Sequence, residues 1–259
     1  MTLQYHMSSH DGTYKKEFQS KVTAVYPGIV ELEETAFYHL GGGQPSDRGI
    51  LNWEDGESMV YDVRKKNRIR HMVEGDLPEV GNSVTGKLDW ERRYTHMRMH
   101  TSQHLVSSIV SDLYGADTVG NQIGFDKSRI DFKPLKLSIN EVDDLIDLAN
   151  EYIAKDIAVE ISEANRSDLE GNPEIRSSMS SGLWKLLPKS VTRLRVISIG
   201  EIDVCPCAGT HVRSLKEIGK VEFVKRDNKG AGKQRLTYTL TNDCLLYTSP
   251  SPRDQRGSR

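Results

Sequence analysis

Between residues 18 and 88 the apolar positions come in short alternating or compact runs, "KVTAVY", "GIVELEE", "SMVYDV", "RIRHMV" and "NSVTGKLD", punctuated by Gly, Pro, Asn and Asp. Runs of this kind are strands, and several of them separated by turns predict a small β-barrel. From Asp89 the period changes. In "ERRYTHMRMHTSQHLVSSIVSDLYG" the residues Met99, Leu105, Val106, Ile109, Val110 and Leu113 fall on one side at about 100° per residue, which predicts a helix ended by Gly115. His100 and His104 then stand one turn apart, roughly opposite the middle of that stripe. Ser107, Ser108 and Ser111 continue their side, so the expectation is a pair of imidazoles outside the core with open space above them.

A second helix is expected from "SINE", where Ser138 and Glu141 fit a capping box, to about Lys155 through Val142, Leu145, Ile146, Ala149 and Ile153. The strand "IAVEISEA" follows. Residues 165 to 190, Ser-rich with Gly171, Pro173 and Pro188, read as short helices and loops. "LRVISIG" reads as a buried strand, and "GKVEFVKR" with "KQRLTYTL" as a hairpin around "DNKGAG". The fold class is therefore α+β, with a β-barrel domain over residues 1–88 and an α+β domain over 89–243. The last residues, 244–259, are rich in Ser, Pro and Arg and lose all periodicity. They read as a non-native tail encoded by an adapter and are left out of the fold, Cys244 with them.

Composition narrows the function classes. The chain has 259 residues, enough for two cores, and no apolar run approaches the ~20 residues that cross a bilayer. The first twenty residues hold no apolar signal region, so the expected location is cytoplasmic and away from membranes. With 35 basic and 37 acidic residues the net charge is -2, so a nucleic-acid partner would have to be held by local patches. Two are available: Lys65, Lys66 and Arg68 in "RKKNRIR", and Lys225, Arg226, Lys229, Lys233 and Arg235 around the last hairpin. Either run is also what a solvated face looks like.

Three cysteines make no disulfide framework and leave metal or thiol chemistry. A His pair at i, i+4 can aim two nitrogens at one ion, although alone it is more often a wet helix face. "CPCAGTHV" alters the balance, because Cys207 and His211, four apart, supply the other two corners of a His, His, Cys, His tetrahedron. That donor set suits zinc and does not suit magnesium or calcium. Cys205 competes with Cys207 but lies less compactly to His211. About a hundred residues separate the two clusters, so a folded domain, not a zinc finger, has to bring them together.

With both clusters and the run Gly41, Gly42, Gly43, Gln44 in view, the chain resembles AlaX, the free-standing alanyl-tRNA editing proteins related to the editing domain of alanyl-tRNA synthetase. The matching stretches are "AFYHLGGGQPSDRG", "DWERRYTHMRMHTSQHLV", "NQIGFDKSRIDF", "LRVISIGEIDVCPCAGTHV" and "EIGKVEFVKRDNKGAGKQRL", covering residues 15 to 242. The glycine-rich stretch and its barrel resemble the medium-length type. The resemblance implies an editing domain of the alanyl/threonyl-tRNA synthetase type. It makes His100, His104 and Cys207 ligands of Zn2+, with His211 either the fourth ligand or a neighbour of the metal-bound water. Thr101 and Gln122 match positions associated with the substrate amino acid. The implied reaction is zinc-dependent deacylation of tRNA(Ala) carrying serine or glycine. The reading from a different class is a non-catalytic, zinc-stabilised module that binds tRNA or a synthetase. Ala208 stands where the synthetase pattern usually has glycine, so mild strain is expected there if the position needs a positive φ.

Overall fold

The computed structural model describes residues 2–172, 184 and 187–241. The expected tail, Cys244 and most of the Ser-rich stretch after Asn172 lie outside the described residues. The chain begins with β1 (Leu3–Gln4), a 3-10 turn (Tyr5–Met7) and α1 (His10–Thr13), then β2 (Glu17–Tyr26), β3 (Ile29–Leu32) and β4 (Glu34–Thr35). β5 (Gly49–Trp53), β6 (Gly56–Lys65), β7 (Ile69–Gly75) and β8 (Ser83–Leu88) complete the first half. The second half runs α2 (Trp90–Tyr114), β9 (Asp117–Gln122), β10 (Ser128–Lys133), α3 (Ile139–Ala154), β11 (Val159–Asn165) and α4 (Arg166–Leu169). It continues with β12 (Arg193–Ile199), β13 (Asp203–Pro206), a 3-10 turn (Leu215–Ile218), β14 (Lys220–Asn228) and β15 (Gln234–Thr241).

Six strands close a barrel in the order β2-β3-β7-β6-β5-β8. Their alternate residues, among them Phe18, Val22, Val30, Leu51, Val60 and Val84, fill its interior. Closure needs close approach where β5 and β2 meet β8. A Cβ on Gly49 would lie 2.0 Å from the Lys87 carbonyl oxygen, and one on Gly86 would lie 2.3 Å from the Phe18 ring. Only glycine fits either place.

The second core gathers around α2, between the sheet β14-β15-β10-β9 and the sheet β11-β12-β13, with α3 packed alongside. This setting overturns the expected wet face. Every residue of α2 from Met99 to Val110 is buried, His100 and His104 included, because protein lies on all sides of the helix and not along one stripe. Leu113, placed on the apolar stripe by periodicity, is 56% exposed in the last turn of the helix. None of the described helices is long and apolar enough to cross a membrane.

α3 carries the expected capping box: Ser138 Oγ accepts from the Glu141 N–H at 3.3 Å, and Glu141 Oε2 accepts from the Ser138 N–H at 2.7 Å. Ser138→Ala removes one partner of an orphan donor. It is expected to lower the melting midpoint by roughly 2–4 °C, read by thermal denaturation, with the fold unchanged.

The two halves are joined by a buried charge pair. Arg93, fully buried in the first turn of α2, gives its Nε–H to both oxygens of Asp47, at 3.1 and 2.9 Å, and its Nη2 to Oδ2 as well. Its remaining donors reach the carbonyls of Thr13, at 2.7 Å, and Ala36. Asp47 Oδ2 in turn accepts the Tyr38 N–H at 2.6 Å. One side chain thus ties together the N-terminal segment, the segment leading into the glycine run, and α2.

Candidate metal centre

α2 presents His100 and His104 on one face, and the turn after β13 presents Cys207 and His211 to that face. One ligand atom from each of the four lies within 4.8 Å of every other. Cys207 Sγ is 3.4 Å from His211 Nε2 and 3.7 Å from His100 Nε2. A tetrahedral ion with metal–nitrogen bonds near ~2.0–2.1 Å and a metal–sulfur bond near ~2.3 Å has edges of about 3.3–3.6 Å, so the donors already stand at close to coordination spacing.

Each imidazole is held from behind through Nδ1. His100 Nδ1–H donates to Gln44 Oε1 at 2.8 Å, and His104 Nδ1–H to Asp203 Oδ2 at 2.9 Å. His211 Nδ1 meets Thr101 Oγ1 at 3.1 Å; that hydroxyl spends its own proton on the Met97 carbonyl at 2.9 Å, so the ring must be the donor. With Nδ1 engaged from behind, all three rings turn Nε2 toward the centre, the orientation histidine ligands require. Gln44 is itself fixed, donating to Thr210 Oγ1 at 2.8 Å and accepting the Thr210 N–H at 3.1 Å.

Electrostatics favour a thiolate. Burial alone would push the Cys207 thiol up, but the imidazoles of His100 and His211, with hydrogen bonds from His100 and His104, hold it well below the ordinary thiol range. Burial first, then His100 beside it, keeps His211 well below its usual value and therefore neutral. Burial also works against charge on His104, yet Asp203 and Cys207 outweigh it and raise that ring to about 10. Metal entry therefore has to displace a proton from His104.

Of the other expected site residues, the glycine run is brought to the centre. Gly42 and Gly43 take φ of 57° and 81°, and a Cβ on Gly43 would sit 2.4 Å from Asn121 Oδ1, so the turn passes hard against β9 while its last residue, Gln44, reaches His100. Thr101 is fully buried, and its hydroxyl also accepts the Val212 N–H at 3.2 Å; it faces His211, where contact with a substrate amino acid was expected. Gln122 is exposed at the end of β9 and accepts from Arg129 Nε at 2.8 Å. Its neighbour Asn121 turns inward, to Gln103 Oε1 at 3.2 Å, because successive strand residues face opposite sides.

Lys65, Lys66 and Arg68 are exposed on the β6–β7 hairpin, and Lys225 and Lys229 on the last one. Arg235 is instead committed to Asp131 at 2.6 and 2.9 Å, Arg226 to the Leu137 carbonyl, and Lys225 and Lys229 both face Asp227 at 3.2 and 3.7 Å. Lys233, in the same turn, is half-buried.

Asp203 was missed by sequence reasoning. Its signal was an acidic residue set among apolar ones in "GEIDVCPC". It also forms a second group of possible metal donors with His104 and Cys205, but His104 Nδ1 is already given to the carboxylate, which makes Asp203 the residue that orients the His104 ring.

Ala208 is exposed with φ outside the left-handed region, so the expected strain is absent. The adjacent glycine matters instead: a Cβ on Gly209 would meet His100 Cε1 at 2.1 Å and Nδ1 at 2.4 Å. Gly209→Ala is therefore expected to displace His100 and weaken metal binding by about 10–100-fold, measured by competition with a chromophoric chelator, while Ala208→Gly leaves it unchanged.

Residues 194–237 match the threonyl and alanyl tRNA synthetase second additional domain, and residues 3–92 match the class II (A) tRNA synthetases. The chain is 35% identical over 237 residues to the alanyl-tRNA editing protein AlaX-M of Methanosarcina barkeri, covering 88% of this chain and 96% of that one. It is 35% identical over 257 residues to AlaX-L of Pyrococcus horikoshii, covering 95% and 60%. It is also 34% identical to the alanine–tRNA ligase of Pyrobaculum neutrophilum, covering 92% of this chain and 27% of the ligase.

Proposed function

The chain belongs to the AlaX family of alanyl-tRNA editing proteins, and from that premise we infer that it hydrolyses the ester joining serine or glycine to the terminal ribose of tRNA(Ala), with zinc as its metal. Such an activity has a physical reason. A synthetase pocket sized for alanine discriminates against glycine through one methyl group, about 1–3 kcal/mol, and rejects an added hydroxyl poorly. A second site must remove the errors.

The observation that carries the reading is the convergence of His100, His104, Cys207 and His211 with every imidazole anchored through Nδ1. A cysteine sulfur with three imidazole nitrogens is a donor set for zinc and not for a hard cation. A zinc ion held there supplies Lewis acidity toward the ester. Gln44, Asp203 and Thr101 are positioning residues, each fixing the tautomer and direction of one ring. Arg195 adds to this by donating to the Cys207 carbonyl at 2.5 Å, which fixes the backbone that carries the thiolate. The exposed cations Lys65, Lys66 and Arg68 are assigned to the phosphates of the acceptor stem, with Lys225, Lys229 and Lys233 as further phosphate contacts. Arg226 and Arg235 shape the last hairpin.

One feature favours the non-catalytic reading, a zinc-stabilised module that holds tRNA or a synthetase: a fourth protein donor, His211, closes the tetrahedron as in structural sites. A single experiment separates the two. Release of serine and glycine from mischarged tRNA(Ala) is measured with and without chelator, against correctly charged Ala-tRNA(Ala). Chelator-sensitive hydrolysis of the mischarged forms only is expected; no hydrolysis by the zinc-loaded protein would leave the binding module.

A further inference from the structure

One turn before His100, on the same face of α2, stands a third histidine that the metal centre does not use. His96 is 1% exposed, and both of its ring nitrogens are buried with no hydrogen-bond partner. A buried polar atom left unpaired is destabilising, and a native fold that keeps one calls for an explanation. The His96 ring is enclosed one turn from His100, with Phe125 against it. It meets Phe125 edge-on, with centroids 6.4 Å apart and planes at 90°, and Phe125 is 42% exposed in the loop after β9. That loop borders the glycine run, since the Ile123 N–H donates to the Gly43 carbonyl at 2.8 Å.

We propose that His96 and Phe125 form the subsite for the terminal adenine base of the charged tRNA, the base stacking on the Phe125 ring and hydrogen-bonding to a nitrogen of His96. This rests on the deacylase reading above and names the nucleoside end of the same substrate. The spacing fits, because one helical turn, about 5.4 Å, separates His96 from His100, and a ribose separates an ester carbonyl from its base. The chemistry fits too. Burial, then Arg92 and Arg93 nearby, push His96 down to about 3, so the ring is neutral and offers one donor and one acceptor. An adenine edge presents both kinds of partner, whereas a phosphate would need a cation. Arg92 is close by, half-buried with its Nε–H on the Ser46 carbonyl at 3.1 Å, and it places positive charge where the backbone of the incoming strand would pass.

The test uses the zinc-loaded full chain, with AMP and IMP as probes that differ at the base edge. Calorimetry should show AMP binding to the parent protein at least several-fold more tightly than IMP, and His96→Leu should abolish that preference. In deacylation, His96→Leu should raise KM for mischarged tRNA by about tenfold with kcat within a factor of two, and should leave the melting midpoint equal or higher, because an unsatisfied polar group is removed. Phe125→Ala, a change at an exposed ring, should weaken AMP about tenfold through lost stacking. An active parent whose His96→Leu and Phe125→Ala forms keep the same KM and the same AMP affinity would overturn the subsite. A parent that binds AMP selectively yet hydrolyses nothing would uphold the subsite and overturn the deacylase reading.

Discussion

Cys207→Ser is expected to strip the protein of stoichiometric metal and to cut deacylation of mischarged tRNA(Ala) by more than ~100-fold, since changes to the partners of metal ligands alone cost about 10–100-fold. Serine is the sharpest substitution because it keeps the shape and removes only the anion. At neutral pH its hydroxyl holds its proton, whereas the Cys207 thiol is held well below its ordinary range by His100, His211 and the hydrogen bonds around it. Without the thiolate the remaining donors are three imidazoles, with the Arg195 guanidinium close by on the residue-207 carbonyl. The control is Cys205→Ser. Cys205 is buried beside His104 and Asp203, but the His104 nitrogen on that side is bonded to the Asp203 carboxylate at 2.9 Å. Its loss should leave metal content and rate close to the parent. Metal analysis after gel filtration, alongside single-turnover deacylation, reads both variants. Equal metal retention by Cys207→Ser and Cys205→Ser would sink the ligand assignment.

The same residues show what the sequence could convey. The barrel strands were legible because short alternating runs survive in "KVTAVY" and "SMVYDV", and α3 was legible because its polar face remains wet. The four donors were legible from spacing within each pair. What spacing could not supply was the environment of α2. A helix enclosed on all sides still shows an apolar stripe, because its buried polar residues, Thr101, Ser102, Gln103 and Ser107, are paired with other polar groups and look in sequence like solvent-facing ones. β5, β9, β10 and β13 were passed over for a different reason. They are short and interrupted by Gly, Asp, Asn or Pro, so the alternation within each is too brief to stand out in the sequence. The orienting shell of Gln44 and Asp203 was hidden by distance: each lies far along the chain from the histidine it holds, separated by 56 and 99 residues.

The largest stability effect is expected at Arg93, not at the metal. Burying a charged pair costs several kcal/mol of solvation per ion, and that cost is offset only when every donor and acceptor is matched. Arg93 comes close to that condition, each guanidinium nitrogen being bonded to Asp47 or to the carbonyls of Thr13 and Ala36, with Asp47 also accepting the Tyr38 N–H. Removing one partner leaves the other ion buried and unpaired. Arg93→Leu is therefore expected to destabilise the chain by about 3–5 kcal/mol, a fall of roughly 6–20 °C in melting midpoint, without any contact to the metal ligands. Arg93→Lys should recover little, because an ammonium cannot reproduce the fork that meets two carboxylate oxygens and two carbonyls together. The double variant Arg93→Leu with Asp47→Leu should be more stable than Arg93→Leu alone, since it removes the stranded carboxylate. Additive losses in that cycle would mean that Arg93 and Asp47 act independently. Non-additivity would identify the pair as the joint that holds the glycine run, and through Gln44 the His100 ring, in register with α2.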